Sequence, residues 1–212
     1  MSPDEASSRS KPRLRGVVHL VAAITAVPAV VALFLRARTG SGAGAAIFGA
    51  SLVGLLTVSA VYHTPYWPPR IRNVLRRVDH SVIYFLIAGS YTPFCLAVGG
   101  GAANLLLPVV WIGAILGVLK SMFWVNAPRV LSATIYVLLG WAAVPYFSDF
   151  SRAIEPAAST LLASGGLIYT LGAIIYARKR PNPVPGVFGY HEVFHLLVVA
   201  AATCHYSAVW IT

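Results

Sequence analysis

Seven stretches of this chain, each of eighteen residues or more, contain no Asp, Glu, Lys or Arg: 17–35, 43–62, 81–98, 102–119, 130–147, 157–177 and 193–212. At about 1.5 Å of rise per residue, each can cross roughly 30 Å of hydrocarbon as an α-helix. They are unbroken runs of Leu, Val, Ala, Ile and Gly rather than short alternating segments, which argues for helices and against a β-barrel. With 58% apolar and 10% charged residues, the 212-residue chain carries more apolar side chain than one water-soluble core can hide. The expected fold is all-α, with a tail over 1–16 and a seven-helix transmembrane domain over 17–212.

Charge placement predicts how that domain sits in the cell membrane. Grouped by alternate connections, thirteen of the sixteen Lys and Arg residues fall on one side: Arg9, Lys11, Arg13 and Arg15, then Arg70, Arg72, Arg76 and Arg77, then Lys120 and Arg129, and last Arg178, Lys179 and Arg180. Arg36, Arg38 and Arg152 fall on the other. The positive-inside rule therefore predicts a cytoplasmic N-terminus and, after seven spans, an extracytoplasmic C-terminus. A net charge of +10 would point a soluble protein towards nucleic acid, but interleaved with apolar runs it reports orientation, and no nucleic-acid partner is expected. The basic segment before residue 17 is like the n-region of a signal peptide. No small-residue cleavage site ends the long run after it, so the first span is expected to be retained.

Breakers fall where turns are needed, at 39–42, 99–101, 126–128 and 181–186. Ile71, Val74, Leu75 and Val78 recur at helical spacing while Arg70, Asn73, Arg76 and Arg77 take other faces. This predicts a short helix on the inner leaflet whose Arg70, Arg76 and Arg77 meet anionic lipids, with a solvated basic loop as the alternative. Gly113 and Gly117 form a GxxxG pattern that permits close helix contact. Cys95 and Cys204 fall inside expected helices, where thiols pack as small apolar groups.

The most specific local signal is His191-Glu192-Val193-Phe194-His195. Residues four apart share a helix face, so both imidazoles can reach one cation. Under the topology above, His191 and His195 occupy the cytoplasmic end of the last span and His63 the cytoplasmic end of the second. Ser59 lies one turn deeper on the same face as His63, and Asp79 and His80 open the third span at that level. Three histidines with one open position suit zinc, although imidazole also suits copper, nickel and iron.

Ser59-x3-His63, then Asp79, then His191-x3-His195, with Ala88-Gly89-Ser90-Tyr91-Thr92-Pro93 after the aspartate, resembles the haemolysin III family. That family belongs with the progestin and adiponectin receptors and, more distantly, the alkaline ceramidases. The likeness runs from about Arg15 to the C-terminus. It implies zinc on His63, His191 and His195, with Ser59 and Asp79 close to the metal and its water as catalytic or supporting groups. The opening pattern Glu-x2-Asn-x3-His is only partly present. His19 keeps the histidine, but Pro12 and Arg15 stand at the other two places, which leaves His19 structural or only indirectly involved.

Plainer readings stand beside these. Asp79 also suits a helix cap, and Ser59 a bond to its own helix carbonyl. Glu192 fits the HExxH general base, but it points about 100° from His191 on a helix, and no acidic residue follows to complete a protease ligand set. An arginine partner is the preferred reading. His80 is either close to the metal or merely interfacial. His205, about 15 Å along the helix from His195, reads as a satisfied packing residue. Tyr62, Tyr66, Trp67, Trp124, Tyr146 and Tyr190 read as an interfacial belt.

Two functions follow. One is a zinc-dependent hydrolase acting on an amide or ester of a membrane lipid, with Asp79 handling the water proton and Ser59 the water or oxyanion. The other is a non-catalytic receptor or homeostasis protein in which zinc staples the second and seventh spans. Cytolysis is disfavoured, because a secreted pore-former must leave the membrane it is made in. Coupled ion transport lacks the usual acidic or basic groups in mid-span.

Overall fold

The computed structural model describes residues 11–37 and 42–212; Arg9, Arg38, residues 39–41 of the first expected turn and residues 1–10 of the tail lie outside them. Eight α-helices make up most of the described chain: α1 (Val17–Arg36), α2 (Gly42–His63), α3 (Pro69–Val98), α4 (Gly100–Phe123), α5 (Arg129–Gly140), α6 (Phe147–Ala153), α7 (Pro156–Arg178) and α8 (Tyr190–Ile211). Seven segments are long and apolar enough to cross a membrane, with α5 and α6 together forming the fifth. The chain is a seven-transmembrane helix bundle, and so a multi-pass membrane protein.

Two elements differ from expectation. The basic segment over 70–78 is neither a separate surface helix nor a loop: Pro69, at the first turn, starts a helix that runs straight on through the third span. Proline is suited to that position because its missing N–H has no helical partner there anyway. Asp79 is therefore well inside α3 and caps nothing. The fifth span is not one continuous helix. It breaks after Gly140 into turns and a 3-10 segment, Val144–Tyr146, that contains Pro145. The Tyr91 hydroxyl repairs the break, donating to the Gly140 carbonyl at 2.6 Å and accepting from the Ala143 N–H at 3.3 Å. Backbone groups freed inside a membrane need such partners.

Sequential helices α1 to α4 pack side by side, α5 packs on α7, α7 on α8, and α8 closes back onto α1. Lipid removes most of the hydrophobic drive for this packing, so close approach at small residues matters. Gly44 lies so near α3 that a Cβ there would be 2.6 Å from the Pro93 Cα. In the GxxxG pattern, Gly117 lies against the Tyr84 ring and Gly113 against Leu139, so the motif serves α3 and α5 at once. Both cysteines are free thiols. At one end of the bundle, Arg76 holds the α4–α5 connection through Asn126 (3.0 Å), and Arg129 reaches the Tyr190 hydroxyl (3.0 Å). Arg36 marks the opposite end, where it stacks on Trp210.

Candidate metal centre

The arginine-rich end is closed by the segment before α1. Arg13 and Leu14 donate their N–H groups to the carbonyls of Gly186 (3.1 Å) and Val187 (3.2 Å), joining this segment to the α7–α8 connection. Lys11 donates to the carbonyls of Thr64 (2.9 Å) and Pro65 (3.2 Å) beyond α2. Partial burial, with Arg15 and Arg72 nearby, lowers its ammonium below the usual lysine value. Gly16 has φ 84, a left-handed conformation that suits glycine. A side chain there would also press to 2.9 Å from the His63 Cβ.

Helix α8 begins over the same spot. Glu192 is fully buried, accepts the Gly189 N–H at 2.8 Å and pairs with Arg15. This fastens the first turn of α8 to the segment before α1. The carboxylate is thus committed to a cap and an ion pair, and the preferred partner type, an arginine, turns out to be Arg15.

His63 ends α2, while His191 and His195 occupy the first two turns of α8. Their ligand atoms all lie within 4.8 Å of one another. The Nε2 atoms of His63 and His191 face each other at 3.2 Å, close to the roughly 3.3 Å edge of a tetrahedron with zinc–nitrogen bonds near 2.05 Å. Two neutral imidazoles in that pose can share one proton, whereas a cation satisfies both. The His195 Nδ1 is buried without a partner among the described residues. These residues form a buried triad that can hold a metal ion.

Asp79 and Ser59 border the same space. The Asp79 Oδ2 is 3.6 Å from the His63 Nε2. Ser59 is buried and, unlike Ser51, Ser81 and Ser90, makes no bond to a carbonyl of its own helix among the described residues. His19 stacks flat on His195, ring centroids 3.8 Å apart and planes 6° off parallel, and so backs one ring of the triad. His80 lines the cavity into which the triad opens, and its carbonyl accepts from the Tyr136 hydroxyl at 3.3 Å.

The triad opens into a largely apolar cavity of about 510 Å³. It passes Ile83, Ser90 and Tyr136 and continues to Phe150, Ile154 and Ser159. His205 lines it as well, and among the described residues it is not satisfied: both ring nitrogens are buried without hydrogen-bond partners. Arg15 and Gly16 join the site without a motif of their own; the departure from the opening pattern at position 15 is a signal for Arg15 alone.

Comparison with known proteins agrees over nearly the whole chain. The family described as Haemolysin-III related matches residues 7–206. The hemolysin-3 homolog of Bacillus subtilis (strain 168) is 29% identical, over 91% of this chain and 90% of the relative. Hemolysin-3 of Bacillus cereus is 29% identical, over 91% and 87%. The human monocyte to macrophage differentiation factor is 30% identical, over 87% and 78%.

Proposed function

The chain belongs to the haemolysin III family, and from that premise we propose that it is a zinc-dependent hydrolase of amide or ester bonds in membrane lipids. The observation that carries this reading is a buried triad of imidazoles at the mouth of a cavity with mostly apolar walls. Such a cavity takes an acyl chain and leaves the polar linkage of the lipid beside the histidines. His63, His191 and His195 are the ligands, and a bound zinc ion would supply Lewis-acid activation of water at neutral pH. Asp79 accepts a proton from water lodged next to His63, and the Ser59 hydroxyl donates to the oxyanion that develops on the substrate. His19 and the Arg15–Glu192 pair hold the histidines in place. The protein sits in the cell membrane with its N-terminus and metal site towards the cytoplasm, where the exposed Arg70 and Arg77 meet anionic headgroups.

A second reading draws on a different feature of the same triad: it joins α2 to α8. A metal there staples two spans far apart in sequence whether or not chemistry follows. Purified protein incubated with ceramide-like lipid, with and without a chelator, separates the two. Chelator-sensitive turnover that disappears in Asp79→Ala while bound metal persists supports the hydrolase. Metal-dependent thermal stability without turnover supports the staple, and a protein with no bound metal ends both.

A further inference from the structure

His205 lies on α8 ten residues beyond His195, about 15 Å further along at the helical rise, in the wall of the same cavity. Its neighbours hold the ring without satisfying it. Tyr169 meets it edge-on at 5.4 Å, and Gly165 leaves the room it needs, since a Cβ there would come within 2.6 Å of Nε2. The Leu162 carbonyl is nearby, but even a tightened bond to it would use one nitrogen and leave the other bare.

Other polar groups along this stretch find partners. Trp141 donates to the Thr170 hydroxyl at 2.8 Å, and Thr170 to the Gly166 carbonyl at 2.8 Å. Tyr91 donates to Gly140, and Ser90 to the Ile87 carbonyl at 2.8 Å. An imidazole left bare at membrane depth is strongly disfavoured unless something else visits it.

We propose that His205 is the far anchor of this cavity: it hydrogen-bonds an oxygen carried about 15 Å down the chain of an amphiphile whose polar head rests at the histidine triad. At roughly 1.25 Å per methylene, which follows from a bond near 1.52 Å and an angle near 111°, that distance spans about twelve chain atoms. The ligand class is a single-chain lipid oxygenated near its twelfth carbon. The proposal rests on the lipid-binding part of the proposed function and not on hydrolysis.

Equilibrium binding of dodecanoate and 12-hydroxydodecanoate to the full chain in nanodiscs tests it, because neither acid has a bond to hydrolyse. The ratio of the two affinities is expected to favour the hydroxy acid about tenfold more in wild type than in His205→Phe, the worth of one hydrogen bond in a buried site. His205→Gln keeps part of that preference, and moving the hydroxyl to the sixth carbon abolishes it. Equal ratios in wild type and His205→Phe, or no binding of either acid, overturn the proposal and leave internal water as the partner of the ring. A failed turnover assay beside an intact ratio removes only the catalytic reading. Intact turnover beside a failed ratio removes only the anchor.

Discussion

Glu192 follows His191 directly and cannot share its face of α8, so its carboxylate turns back to the Gly189 N–H and out to Arg15. A buried ion pair is costly to break from one side, because the charge left behind keeps its desolvation penalty. Arg15→Met is therefore expected to destabilise the protein by about 3 kcal/mol, read as a fall in Tm in detergent. The double variant Arg15→Met, Glu192→Leu should recover part of that loss; if it melts below both single variants, the pairing account is wrong. The histidine triad gives a second residue-scale expectation under the proposed function. Elemental analysis should find one zinc per chain in wild type, none in His191→Ala with His195→Ala, and zinc retained in His19→Leu, since His19 stacks on a ligand and is not part of the triad. The HxxxH spacing was legible because it is local. The Arg15 partner was not, because 177 positions separate it from Glu192 and only the folded bundle brings them together.

Helices were legible as apolar runs, and their departures have local causes. A charge-free window cannot see that α3 begins at Pro69, since helix geometry carries on through arginines that reach water or headgroups. Nor can it see the break after Gly140, which depends on the Tyr91 hydroxyl arriving from another helix. Packing between helices is the least visible layer, and the GxxxG pattern named no partner. Gly117→Val should drive a side chain into the Tyr84 ring and cost about 1–3 kcal/mol in thermal unfolding. Gly54→Ala meets nothing within 4 Å among the described residues, so it should gain about 0.5–1 kcal/mol from helix propensity alone. Equal effects of the two changes would refute close approach as the reason for glycine in α4. The exposed arginines at the start of α3 predict a lipid preference. Arg70→Gln with Arg77→Gln should lower the anionic lipid that co-purifies, as counted by native mass spectrometry, while leaving zwitterionic lipid unchanged.

At the scale of the whole molecule, the two ends of the bundle differ in a way that ties orientation to chemistry. The triad, the segment before α1 and the α7–α8 connection share one end with Arg76, Arg77 and Arg129, while Arg36 lies beside Trp210 at the other. Moving arginine-rich connections across the membrane is unfavourable, so the charge count predicts a cytoplasmic histidine end, and under the proposed function a lipid linkage reaching the triad would then come from the inner leaflet. The same reasoning predicts that Tyr66, 85% exposed beyond α2, faces the inside of the cell and Thr212 the outside. Treating intact cells with a membrane-impermeant maleimide should label Thr212→Cys at once and Tyr66→Cys only after lysis, against a parent in which Cys95 and Cys204 are replaced by alanine. The reverse pattern would turn the bundle over, and the substrate would then have to be sought in the outer leaflet.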